Sequence, residues 1–117
     1  MPNTNIPVVM GVNSNGEIYY ANTNIKSNPN WTKIGGQLKN VSYSNGQVYG
    51  VNSSGEIYYN SNYTTSNWVK IPGALYQVSF DGYAMVVIGV NSGGEVYYAN
   101  TNITNNNIKW KLIGNQL

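Results

Sequence analysis

Three closely similar stretches, GVNSNGEIYYANTNI (residues 11–25), GVNSSGEIYYNSNYT (residues 50–64) and GVNSGGEVYYANTNI (residues 89–103), lie at equal intervals along the chain. Their leading glycines are Gly11, Gly50 and Gly89, so the period is 50 − 11 = 39 and 89 − 50 = 39, and three periods make up the 117 residues. A fixed period of about 20 to 50 residues marks a solenoid, an array or a propeller, in which one supersecondary unit buries its faces only against copies of itself. The period therefore decides the fold class before any local propensity does. A second landmark recurs downstream as WTKIGGQL (residues 31–38), WVKIPGAL (residues 68–75) and WKLIGNQL (residues 110–117). Between the landmarks the chain varies in length and is rich in Asn, Ser and Thr, as loops are while strands keep their register.

Within one period, four short runs rich in Val, Ile, Tyr and Trp read as strands: NVSYS (40–44), QVYGVNS (47–53), EIYYN (56–60) and NWVKI (67–71). The breaks between them are explicit. Asn45-Gly46 is a two-residue hairpin signal, and the NSNG, NSSG and NSGG loops put Asn and Gly where positive φ is needed. No window carries a 3.6-residue apolar stripe, so helices are not expected. Four antiparallel strands in about 40 residues make one blade of a β-propeller, with both faces covered by neighbouring blades. The expected fold is all-β: one half-propeller domain over residues 1–117, with units at 11–49, 50–88 and 89–117 plus 1–10.

Propellers close with about 4 to 8 blades, so three leave two apolar faces open. A head-to-tail homodimer closing a six-bladed ring is expected to cover them, with a fragment of a longer propeller or another oligomer as the alternatives. IPVVMG (6–11) resembles MVVIG (85–89), but nothing ahead of it matches VSF (78–80), so the first blade is expected to have a degenerate innermost strand.

Charged residues are only 9% of the chain, against 11 tyrosines, so neutral polar groups and aromatic faces must do most of its chemistry. Six isolated lysines, Lys26, Lys33, Lys39, Lys70, Lys109 and Lys111, form no basic stripe, which argues against nucleic acid. With no His, no Cys and no acidic cluster, neither a metal nor a cofactor is expected. No window approaches the roughly 20 apolar residues that span a bilayer, so a soluble protein is expected, cytoplasmic or extracellular.

Four repeated sets of side chains are the candidates for binding. Asn13, Asn52 and Asn91 open the same loop in each unit, as Asx turns or as partners for sugar hydroxyls. Glu17, Glu56 and Glu95 are three of only four acidic residues, able to accept two hydroxyls or to pin a backbone amide or a lysine on the adjacent blade. Tyr20, Tyr59 and Tyr98 alternate with Tyr19, Tyr58 and Tyr97, so one of each pair is expected between blades and the other exposed. Trp31, Trp68 and Trp110 begin the last strand of each unit, where an indole can stack on a pyranose or seal the seam between blades. Repeat-equivalent carboxylates on separate units do not form the close pair that a glycosidase uses, so catalysis is not expected.

The pattern NVSYSNGQVYGVNSSGEIYY (40–59) followed by W-x-K-I-x-G-x-L resembles the tectonin repeat, and the resemblance extends over essentially the whole chain. The tectonin-type β-propeller lectins include slime-mould and fungal tectonins, fish-egg lectins and horseshoe-crab lipopolysaccharide-binding lectins. This resemblance implies a six-bladed propeller that binds sugars on glycoproteins or microbial surface glycans. The sugars include N-acetylated ones of the GlcNAc or GalNAc type, O-methylated ones and lipopolysaccharide, and no chemical step is involved. The chain has about half the usual number of repeats. It also has Tyr20, Tyr59 or Tyr98 with small neighbours where relatives often follow the strand with a positive charge. A non-catalytic protein-interaction propeller, or an engineered repeat scaffold, is the alternative function.

Overall fold

The computed structural model describes residues 7–22, 30–102 and 107–115. Residues 1–6, residues 23–29 with Lys26, residues 103–106, and Gln116 and Leu117 lie outside the described residues. Among the described residues the fold is all-β, with three antiparallel meanders. The first sheet contains β1 (Val8–Val12), β2 (Ile18–Asn22) and β3 (Thr32–Ile34). The second contains β4 (Asn40–Ser44), β5 (Gln47–Val51), β6 (Glu56–Asn60) and β7 (Val69–Ala74). The third contains β8 (Gln77–Asp81), β9 (Val86–Val90), β10 (Val96–Asn100) and β11 (Lys111–Gly114).

The second and third sheets each start one strand ahead of the GVNS landmark, whose glycine lies inside the second strand, as Gly50 does in β5 and Gly89 in β9. By that landmark β1 is the counterpart of β5 and β9. The first sheet therefore shows three strands where the others show four, and the place of its innermost strand falls ahead of Pro7, outside the described residues.

The turns follow from side-chain chemistry. Asn45 (φ 53°) and Gly46 (φ 82°) both take positive φ, as a type I′ hairpin requires. In the GVNS loops one asparagine ties the whole turn: Asn52 Oδ1 accepts the amides of Ser54 at 3.0 Å and Glu56 at 2.9 Å. Asn13 and Asn91 do the same in their loops.

The core lies in the seams between sheets. Tyr49, Val51, Ile57, Ile71 and Leu75 of the second unit are buried against Val78, Phe80, Val87 and Ala99 of the third. Ile18, Ile34 and Leu38, with Met10 and Val12, pack in the same way against Val41, Tyr58 and Trp68. At the inner edge, β8 would expose unpaired amides, a liability of edge strands. Alternate side chains of β4 satisfy them: Asn40 Oδ1, Ser42 Oγ and Ser44 Oγ accept the amides of Val78, Phe80 and Gly82, each at 2.9 Å. Gly50 and Gly89 are fixed by close approach. A Cβ on Gly50 would stand 2.7 Å from Leu38 Cδ1, and one on Gly89 2.5 Å from Leu75 Cδ1.

Among the described residues, both ends of the array carry exposed apolar side chains. Val9 is 40% exposed, whereas Val48 and Val87, at the same place in the other units, are fully buried. At the other end Ile88 is 41% exposed, whereas its counterpart Tyr49 is fully buried.

Candidate clefts between the sheets

Two clefts of about 200 Å³ recur at equivalent places in the two seams. The first is lined by Gly36, Gln37 and Leu38 after β3 and by Asn52, Tyr58 and Trp68 of the second sheet. The second is lined by Gly73, Ala74 and Leu75 and by Asn91, Tyr97 and Trp110. Each cleft adjoins a larger polar groove at the loop end of its seam. The groove of the first seam is about 550 Å³, and Asn13, Gln37 and Lys39 are among its walls. That of the second is about 370 Å³ and is flanked by Tyr76, over whose ring the Lys39 ammonium sits at 3.4 Å.

Trp68 and Trp110 are each held by the preceding unit. Trp68 Nε1–H donates to the Gly35 carbonyl at 2.8 Å, and Trp110 Nε1–H to the Pro72 carbonyl at 2.7 Å. The register of β6 with β7 jumps from Ile57↔Ile71 to Glu56↔Ala74, so Pro72 and Gly73 bulge out of the ladder. Gly36 (φ 109°) and Gly73 (φ 116°) pass so close to the indoles that a Cβ would stand 2.8 and 2.6 Å from Nε1.

Behind the clefts stand the repeated carboxylates. Glu56 accepts from Asn52 Nδ2 at 2.8 Å, and its other oxygen lies 3.1 Å from Lys70 Nζ. The Asn52 amide, and after it the Lys70 ammonium, hold the Glu56 carboxyl below the usual carboxylate range. Glu17 repeats the arrangement with Asn13 and Lys33, both at 2.8 Å. There the lysine is the larger cause of the lowered carboxyl, and Lys33 is raised in return. In the third unit Asn91 Nδ2 donates to Glu95 at 2.9 Å, but Leu112 occupies the place of Lys33 and Lys70. Instead the Tyr97 hydroxyl stands 3.4 Å from the Glu95 carboxylate.

The candidate residues therefore divide. Asn52, Asn91, Trp68 and Trp110 line the clefts, and Asn13 lines the groove of the first seam. Trp31 is 52% exposed on the first sheet. Glu17, Glu56 and Glu95 hold the asparagines rather than lining a cleft. Tyr20, Tyr59 and Tyr98 lie on the other strand face. Tyr20 meets Tyr63 edge-on at 5.1 Å, Tyr59 packs on Tyr49 at 4.9 Å, and Tyr98 sits across from Ile88 on the third sheet. The clefts take the other member of each pair, Tyr58 and Tyr97. Their alternation with Glu56 and Glu95 was the available signal. The turn residues Gln37 and Leu38 carried none, because their role comes from the neighbouring unit.

An indole, a phenol and an amide around a shallow hollow can stack on an apolar ring face while exchanging hydrogen bonds at its edge. Among the described residues no three acidic, His or Cys side chains cluster as for a metal. No helix there is long and apolar enough to cross a membrane.

Human WBSCR16, a solved structure, matches with a TM-score of 0.59 at 13% identity, over 94% of this chain and 39% of that one. The chain thus spans about two fifths of that protein's length, and at this identity the likeness is one of fold. No curated protein matches the sequence. The family model for the tectonin domain matches residues 5–116. With three antiparallel sheets stacked through repeated seams and the tectonin model matching nearly end to end, the chain belongs to the tectonin domain family.

Proposed function

We propose that the protein is a non-catalytic, multivalent carbohydrate-binding module whose sites are the clefts between successive sheets. The observation that carries this reading is the recurrence of one cleft, built from Asn, Tyr, Trp and a glycine turn, in both seams. A volume of about 200 Å³ is below the roughly 300–1,000 Å³ of pockets for drug-sized ligands and suits a single sugar unit. Weak identical sites gain by repetition: on a surface that repeats its sugar, the second engagement is intramolecular. Glycoproteins and microbial glycans are surfaces of that kind, and N-acetylated or O-methylated sugars offer methyl groups to the aromatic walls. The carboxylates support the absence of a chemical step, because each is bound to the asparagine of its own loop on its own sheet.

Assembly belongs to the same reading. The exposed Val9 and Trp31 at one end, and Ile88 at the other, correspond to residues that cover each other inside the chain, which favours a head-to-tail homodimer with six blades. That junction must differ locally from the internal seams, since Asn115 stands where Gly36 and Gly73 clear the indole. The test is a glycan array of GlcNAc, GalNAc, O-methylated sugars and lipopolysaccharide cores, using protein whose mass in solution is known from sedimentation. Binding to one sugar class by a dimer is the expected result. A blank array from folded protein would count against the lectin reading and favour a protein-interaction scaffold.

A further inference from the structure

The two clefts are alike in shape but not in charge. Behind the first, Glu56 is neutralised by Lys70 at 3.1 Å. Behind the second, Leu112 replaces that lysine: it lies across from Tyr97 as Lys70 lies across from Tyr58, and it is 49% exposed. Among the described residues Glu95 has no cationic partner. Lys111 lies across from Tyr98, on the other face of the sheet, and neither it nor Lys109 forms an ion pair with Glu95. Two of the groups lining the second cleft contact this unneutralised carboxylate: the Asn91 amide at 2.9 Å and the Tyr97 hydroxyl at 3.4 Å.

We infer that the second cleft prefers a sugar carrying a free ammonium, of the glucosamine kind, while the first does not discriminate, and that Leu112 is the residue responsible. The inference rests on the carbohydrate-binding reading above and adds a ligand class to one of its sites. An ammonium at the rim of the second cleft gains an opposite charge that no lysine already satisfies. At the first, the same ammonium meets an ion pair of zero net charge and competes with Lys70. Such a gain is that of an exposed ion pair, roughly 2–5-fold in affinity, and salt screens it.

Each cleft contains its own reporter, the indole N–H of Trp68 or Trp110. The experiment titrates the nitrogen-15-labelled full chain with glucosamine and, separately, with N-acetylglucosamine, at about pH 6 where a free amine is protonated. Glucosamine should half-saturate the Trp110 signal at roughly 2–5-fold lower concentration than that of Trp68, with the margin shrinking in about 1 M salt. N-acetylglucosamine should move both signals together. The Leu112→Lys variant, a change at an exposed strand position, should erase the glucosamine margin. Equal response to glucosamine, or a margin that survives Leu112→Lys, overturns the inference while N-acetylglucosamine binding leaves the lectin reading standing. No response of either indole to either sugar overturns the inference, and the glycan array of the other sugar classes then decides the lectin reading.

Discussion

Tyr49 has the least comfortable polar atom in the described structure. Its ring is fully buried between Phe80 and Tyr59, and its hydroxyl has no hydrogen-bond partner. An unsatisfied buried hydroxyl costs about 1–3 kcal/mol, so Tyr49→Phe should stabilise the fold by about 1 kcal/mol and raise Tm by about 4 °C. Burial, and after it the neighbouring Tyr59, pushes the Tyr49 phenol well above the ordinary tyrosine value. The unfolded chain ionises this group near about pH 10 while the folded chain keeps it protonated, so its contribution is complete below that pH and is lost as pH rises above it. Denaturant melts from about pH 8 to 11 should show this alkaline loss in the wild type and a smaller one in Tyr49→Phe. At this scale the sequence was half legible. The Asx role of Asn52 follows from residue type and repetition, whereas the lysine on Glu56 comes from the adjacent strand of its own sheet and not from the adjacent blade. The choice of Tyr58 over Tyr59 for the cleft does not follow from residue type either, because it depends on which strand face meets the next unit.

Strands and hairpins were the most legible elements. Strands β4 and β6 fall on the runs NVSYS and EIYYN, and Asn45-Gly46 makes the turn its residues demand. Strand β7 was less so: it continues past Ile71 through a bulge to Ala74, and that bulge turns the Pro72 carbonyl toward Trp110. A bulge has no strong local signature when Pro-Gly also reads as an ordinary turn. The bulge makes a paired prediction. Gly73→Ala places a methyl 2.6 Å from Trp110 Nε1 at φ 116°, so it should cost about 1–3 kcal/mol and blue-shift or broaden Trp110 emission. Gly114→Ala, where nothing lies within 4 Å, should stay within about 0.5 kcal/mol of the wild type in the same melts.

Among the described residues the three units make a stack with two filled seams, and the candidate clefts lie in those seams. The period of 39 residues announced this architecture. It could not announce that a cleft is a joint product of two units, with Gly36 and Leu38 from one and Tyr58 and Trp68 from the next. It also could not separate the seam role of Trp68 from a ligand role, because the indole N–H is committed to Gly35 while the cleft still uses the ring as a wall. Where a bound sugar touches the protein distinguishes the clefts from the rest of the surface. Intermolecular NOEs should be measured between the sugar class selected on the array and the aromatic protons of the protein. Contacts are expected from ring and N-acetyl or O-methyl protons to Trp68 and Tyr58 and to Trp110 and Tyr97. Contacts confined to Trp31 or Tyr20, outside the clefts, would contradict binding in the clefts.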